Sequence, residues 1–184
     1  HAETLVDWSA RVETGDAVVV SVGEGAHALA LAVAEALGDR GADLLATYAS
    51  DEMTRAYLRA ADGEFGPADH ARALYETADV TLILGGTRNT AAMADVPGQT
   101  RAAYDRARQP VREARLATDW VSTVHPTRAL AQAAGMAFPA YRDFVYEAVL
   151  RDWPALAKEM AELKERLDAG SAVRIVTAGT DLEL

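Results

Sequence analysis

The sequence predicts an α/β fold: a doubly wound, mostly parallel sheet with flanking helices and a helical connector toward its carboxyl end. Three observations carry that expectation. Short strand-like runs alternate with stretches of helical period, joined by short linkers, which is the order of a parallel sheet. Two of the runs, Ala17-Val18-Val19-Val20-Ser21-Val22 and Val80-Thr81-Leu82-Ile83-Leu84, are apolar on both faces, as in strands covered on both sides. The 184 residues are 50% hydrophobic, enough to pack one such domain.

The elements follow in order. Residues 2–12 read as a helix with Leu5, Trp8 and Val12 on one face. Thr14-Gly15-Asp16 is a turn before the first strand, residues 17–22. Residues 26–37 form an Ala/Leu helix that ends at Gly38 or Gly41, and Leu44-Leu45-Ala46-Thr47-Tyr48 is the second strand. Ser50 or Asp51 caps a helix running to about residue 61. A loop over 63–67 and a short helix over 69–77 lead to the third strand, residues 80–84. An Arg-rich helix spans 99–116, with Pro110 placed to kink or split it. Trp120-Val121-Ser122-Thr123-Val124 is the fourth strand, where the sheet ends.

His125-Pro126-Thr127 opens a helix over 128–134. Helices over 140–151 and 154–167 form the connector, the second with Asp152 as N-cap and Pro154 in its first turn. The chain closes on a strand at 173–176, a turn at Gly179 and the start of a second strand, Thr180-Asp181-Leu182-Glu183-Leu184. A hairpin cut off there is unfinished, and His1 has no capping residue before its helix. Both ends are expected to belong to a longer polypeptide.

Composition narrows the function classes. The chain has no Cys, which removes disulfides, thiolate catalysis and Cys-based zinc sites. It has no run of 18 apolar residues and no basic leader, so neither a membrane span nor a membrane partner is expected, and the expected location is cytoplasmic. The net charge is −10, and of the 18 basic residues only Lys158 and Lys164 are lysines. Such a surface suits very high salt, where the Debye length falls to roughly 3 Å. A GC-rich coding sequence is the plainer source of the same Ala and Arg bias. Nucleic acid is not expected as a partner, since an acidic domain is not expected to offer a cationic stripe to phosphates.

Two glycine loops stand where α/β sheets bind ligands. Gly23-Glu24-Gly25-Ala26-His27 follows a strand and opens a helix, but Ala28 breaks the dinucleotide pattern and Glu24 puts a carboxylate in the way. A tight strand-to-helix turn is the reading there. Gly85-Gly86-Thr87-Arg88-Asn89-Thr90 exposes backbone N–H groups beside a cation, Arg88, and two polar side chains, Thr87 and Asn89. Its plainer reading is a glycine turn with Asn89 or Thr90 capping a helix. The histidines have no zinc spacing; His125, at a strand's carboxyl end, is either structural or a ligand. There is no nucleophile elbow around Ser21 or Ser122. Lys158 with Glu162 and Glu162 with Arg166 are spaced as helix-surface pairs. Phe138, Tyr141, Phe144, Val145 and Trp153 are read as core or inter-domain packing, with a partner surface as the alternative.

The second half resembles a known family. Residues 120–124 with His125-Pro126-Thr127-Arg128-Ala129-Leu130-Ala131 resemble the metallo-aminopeptidases of the aminopeptidase T and S type, the thermophilic metalloprotease family. The likeness runs on through Tyr141-Arg142-Asp143-Phe144-Val145-Tyr146, Asp152-Trp153-Pro154, Arg174-Ile175-Val176 and Gly179-Thr180-Asp181-Leu182, and Thr14-Gly15-Asp16 fits its start. It covers nearly the whole chain, as that family's amino-terminal domain. The resemblance implies a parent enzyme that removes amino-terminal residues from peptides with two divalent ions of the Zn, Co or Mn type.

The family's metal ligands belong to its carboxy-terminal domain, so neither a catalytic nor a metal residue is expected here. The implied layout is an α/β domain over 1–138, a helical connector over 139–171 and the start of a missing catalytic domain over 172–184. The isolated chain is expected to be inactive, to wall one side of a peptide cleft and to support a homodimer. Arg88, Asn89 and His125 are the cleft candidates. Two other readings stand beside this one: a flavodoxin-like module binding a small anion at residues 85–90, and a pure oligomerisation domain working through residues 140–167.

Overall fold

The computed structural model describes residues 1–183. They form two compact units, residues 1–149 and 150–183. The first holds a four-stranded parallel sheet in the order β2-β1-β3-β4, made of β1 (Ala17–Gly23), β2 (Asp43–Ala49), β3 (Val80–Gly85) and β4 (Asp119–Val124). Helix α1 (His27–Arg40) joins β1 to β2. Helices α2 (Asp51–Ala60) and α3 (Asp69–Glu76) lead from β2 to β3. Helices α4 (Gly98–Ala107) and α5 (Gln109–Leu116) lead from β3 to β4, which is followed by α6 (Arg128–Ala133) and α7 (Phe138–Val149). The doubly wound α/β expectation holds, and the sheet ends at β4.

The core lies against the two central strands. Val18 and Val20 of β1 pair in register with Val80 and Leu82 of β3 and share one face with Leu84. Leu29, Val33 and Leu37 of α1 cover them, together with Leu5, Val6 and Val12. Val19 and Thr81, one step out of phase, are buried as well. The Thr118 hydroxyl donates to that of Thr81 at 2.9 Å, so the buried Thr is satisfied. The outer strands are different: Leu44, Leu45 and Tyr48 of β2 and Trp120 and Val124 of β4 are exposed.

One local expectation is corrected. The first helix does not reach residue 12. It is a short wide turn, Thr4–Ser9, closed by the Ala10 amide donating to the Leu5 carbonyl at 2.9 Å. The chain then reverses through Arg11, at φ 51°, which delivers Val12 into the core at 1% exposure. Burying Val12 wins over continuing the helix. The Arg-rich stretch is split rather than kinked, breaking into two helices at Arg108. Pro110 lies in the first turn of α5, where its missing N–H costs nothing.

Several caps follow the sequence reading. Ser50 caps α2, accepting from the Met53 amide at 3.1 Å, and Gly41 closes α1 in the left-handed conformation at φ 73°.

The second unit is α8 (Trp153–Asp168) and an antiparallel hairpin of β5 (Arg174–Thr177) and β6 (Thr180–Glu183) turning at Gly179. Asp152 caps α8 as expected, accepting from the Ala155 amide at 3.0 Å. Arg174 and Asp181 form a two-pronged ion pair across the hairpin at 2.7 and 2.6 Å, which holds the Asp181 carboxyl below its ordinary pKa. Leu184, the last residue of the expected second strand, lies outside the described residues. On α8 the ion pair among the described residues is Lys164 with Asp168, not the Lys158 and Arg166 pairs that the spacing allows. The aromatic run does not pack a core: no residue of α7 is buried, and Phe144 is exposed.

Candidate functional site

The loops at the carboxyl ends of the strands meet. β1 ends in Gly23-Glu24-Gly25, β2 in Ser50 and Asp51, β3 in residues 85–90, and β4 in His125-Pro126-Thr127. Strand order reverses between β1 and β3, which is where doubly wound sheets open a ligand crevice.

Here that crevice is closed by backbone. The Gly25 amide donates to the Gly86 carbonyl at 2.5 Å. A Cβ on Gly25 would stand 2.5 Å from Thr127 Cγ2 and 2.9 Å from the Gly86 oxygen. A Cβ on Gly86 would stand 3.0 Å from the Ala26 amide nitrogen. These glycines serve a close approach between two loops rather than an open phosphate cradle. The Thr127 hydroxyl locks the third loop on, donating to the Thr87 carbonyl at 2.8 Å while accepting from the Leu130 amide at 3.2 Å as the cap of α6.

The carboxylates at this end are already committed. Glu24 is 7% exposed and accepts from the Ser50 hydroxyl and, at 3.4 Å, from the Glu52 amide. It ties the end of β1 to the start of α2. Asp51 accepts from the Thr87 hydroxyl at 2.8 Å. Sequence reasoning saw Glu24 as an obstacle in a glycine loop and missed its role, because its partner Ser50 is 26 positions away.

The three cleft candidates fall differently. Arg88 is exposed at the tip of the β3 loop and forms no ion pair among the described residues. Asn89 is exposed, but its side-chain oxygen accepts from the Ala91 amide at 3.0 Å. That fixes a turn over the following residues, not the helix that Asn89 or Thr90 was expected to cap; α4 starts later, after Pro97. His125 is half-buried after β4, with its amide donating to the Gly85 carbonyl at 2.8 Å. Its ring nitrogen Nδ1 lies 3.5 Å from the Tyr146 hydroxyl of α7. Tyr146 also meets the His1 ring edge-on at 6.0 Å, and His1 Nε2 lies 2.9 Å from the Thr123 hydroxyl.

Burial lowers the His125 pKa below its usual 6.5. A histidine of this kind binds fewer protons folded than unfolded between its folded pKa and 6.5. Its contribution to stability is therefore full above 6.5 and is lost as pH falls toward the folded pKa. Urea midpoints followed from about pH 8 down to about pH 5 should show this loss in the wild type and a shallower fall in His125→Gln. Equal slopes in the two proteins would remove the assignment.

The family's metal does not fit these residues. Among the described residues no group of three or more His, Asp or Glu side chains is placed to hold a metal ion. No described helix is long and apolar enough to cross a membrane.

The fold and its strand-end loops define a doubly wound α/β domain whose switch point is sealed, with no metal centre among the described residues. The chain belongs to the thermophilic metalloprotease family M29, whose model matches residues 1–184. That family comprises metal-dependent hydrolases. No curated protein matches the sequence. Among solved structures, wild-type AmpT from Thermus thermophilus superposes with a TM-score of 0.75 at 22% identity, over 99% of this chain and 51% of that one. At that identity the likeness shows a shared fold. The chain spans about half the length of the structure it matches.

Proposed function

We propose that this chain is the amino-terminal, non-catalytic portion of a two-metal aminopeptidase that removes N-terminal residues from peptides. The observation that carries the reading is one of extent. A metalloprotease family model covers all of residues 1–184, while the same residues match only 51% of AmpT. The metal ligands then belong to the part of the protein beyond this domain. In this reading residues 1–138 are the α/β domain, 139–171 the connector and 172–184 the approach to the catalytic domain.

The domain's task is to wall the peptide cleft and to support a homodimer. Arg88 is the best placed of the cleft candidates, exposed and without an ion-pair partner among the described residues, so it can meet a peptide carboxylate. His125 and Asn89 hold their loops in shape beside it. The divalent ions, of the Zn, Co or Mn type, would supply an activated water and polarise the scissile carbonyl. The acidic, lysine-poor surface suits a cytoplasm of high salt. The Asp51 carboxylate, which accepts from the Thr87 hydroxyl, weighs against a small-anion site at residues 85–90.

The test uses the native gene product. Its intact mass is expected near twice that of this chain, and it should release the first residue from a peptide with a free amino terminus. N-acetylated peptide should resist, a chelator should abolish the release, and a divalent ion should restore it. Chelator-insensitive release, or none from free peptides, would overturn the proposal.

A further inference from the structure

A second feature is built on α4 and α5. It is a groove of about 820 Å³ whose lining includes Tyr75, Tyr104, Arg106, Arg108, Arg112 and Arg115. Only two carboxylates, Asp105 and Glu113, share that lining, and Glu113 is engaged by the Gln109 amide at 3.0 Å.

The arginines here differ from many of those elsewhere. Arg40 pairs with Asp7, Arg55 and Arg59 with Asp95, Arg72 with Asp69 and Glu76, Arg142 with Asp143, and Arg174 with Asp181. None of the four groove arginines has an ion-pair partner among the described residues. Arg115 Nε is buried and has no acceptor. A buried N–H without an acceptor is costly, and four like charges in one groove repel one another. The repulsion is relieved by an anion in the groove.

The geometry is also braced. The Arg108 guanidinium lies 4.6 Å above the Tyr104 ring. Tyr104 in turn packs edge-on against Phe65 at 5.3 Å and Tyr57 at 6.1 Å. Guanidinium forks favour planar, two-pronged contacts to phosphate or carboxylate oxygens. Several forks in one groove favour an anion with several charged groups in a row.

We propose that this groove binds a small oligophosphate, through the phosphate chain that nucleotides and inorganic polyphosphate share. The proposal is independent of the peptidase reading. Its test is calorimetric titration of the native gene product with sodium tripolyphosphate at about 0.1 M salt. One site is expected, weakening as salt rises. Arg112→Gln, an exposed change, should weaken binding about tenfold, the loss of one charged hydrogen-bond donor. Arg112→Gln with Arg115→Gln should weaken it further. Arg101→Gln, on α4 but outside the groove, should leave it unchanged. A parallel titration with ATP separates the sources: tighter binding than tripolyphosphate adds a base contact, and equal binding leaves the phosphate chain alone. No heat, heat unchanged in the double variant, or an equal loss in Arg101→Gln would overturn the proposal.

Discussion

Replacing Gly25 with alanine is expected to cost about 3 kcal/mol, the range for forcing an extra carbon into a packed site. The reason is local and specific. The new Cβ would stand 2.5 Å from Thr127 Cγ2 and 2.9 Å from the Gly86 carbonyl oxygen. Neither neighbour yields easily. Thr127 is held by its hydroxyl, which bridges the Thr87 carbonyl and the Leu130 amide. The Gly86 oxygen accepts from the Gly25 amide itself. For a domain of this size the loss should appear as a melting temperature lower by about 6–12 °C. A second change sharpens the test. Thr127→Ser keeps the hydroxyl and removes Cγ2, so Gly25→Ala with Thr127→Ser should recover part of the loss but not the part owed to the Gly86 oxygen. A Gly25→Ala protein that melts with the wild type would mean the loops are apart in solution, and the switch point would again be open to a ligand.

The same loops show how much of the molecule was legible in its sequence. The central strands were, because short runs apolar on both faces have few ways to be buried other than in a parallel sheet. The caps of α2 and α8 were, because Ser50 and Asp152 act within three residues of themselves. The sealing of the crevice was not. It rests on Gly25 meeting Gly86 and on Thr127 meeting Thr87, pairs about 40 to 60 positions apart whose meeting depends on strand order. The partner of Glu24 was hidden for the same reason. Within its loop Glu24 read as a carboxylate in the way of a phosphate, and its task is to hold Ser50 on another loop. The Arg-rich stretch was read as a helix that Pro110 kinks or splits, without its groove. Its groove exists only because the chain breaks at Arg108 and α3 brings Tyr75 alongside. Of the cleft candidates, only position relative to a strand end could be read in advance. The burial of His125 comes from neighbours that the local sequence does not announce, whereas the Asn89 turn is local, closed by the Ala91 amide two residues on.

Leu82→Ala should be the most damaging single truncation, at about 4 kcal/mol, within the range for emptying a closed core site. Leu82 is 0% exposed on a central strand, walled by β1 and α1. Leu45 is the informative contrast. By type it is the same residue in another strand of the same sheet, yet it is 48% exposed on the β2 edge. Leu45→Ala should therefore cost less than about 1 kcal/mol, since little surface leaves water when it packs. Chemical denaturation of the native gene product measures both. A large loss for Leu82→Ala with a small one for Leu45→Ala would mean that the β2 edge stays in water throughout the protein. Two large losses would mean that the edge is covered there, by a second copy or by a part of the protein beyond this domain. That result would give the domain a packing role at β2 in addition to its place beside the cleft.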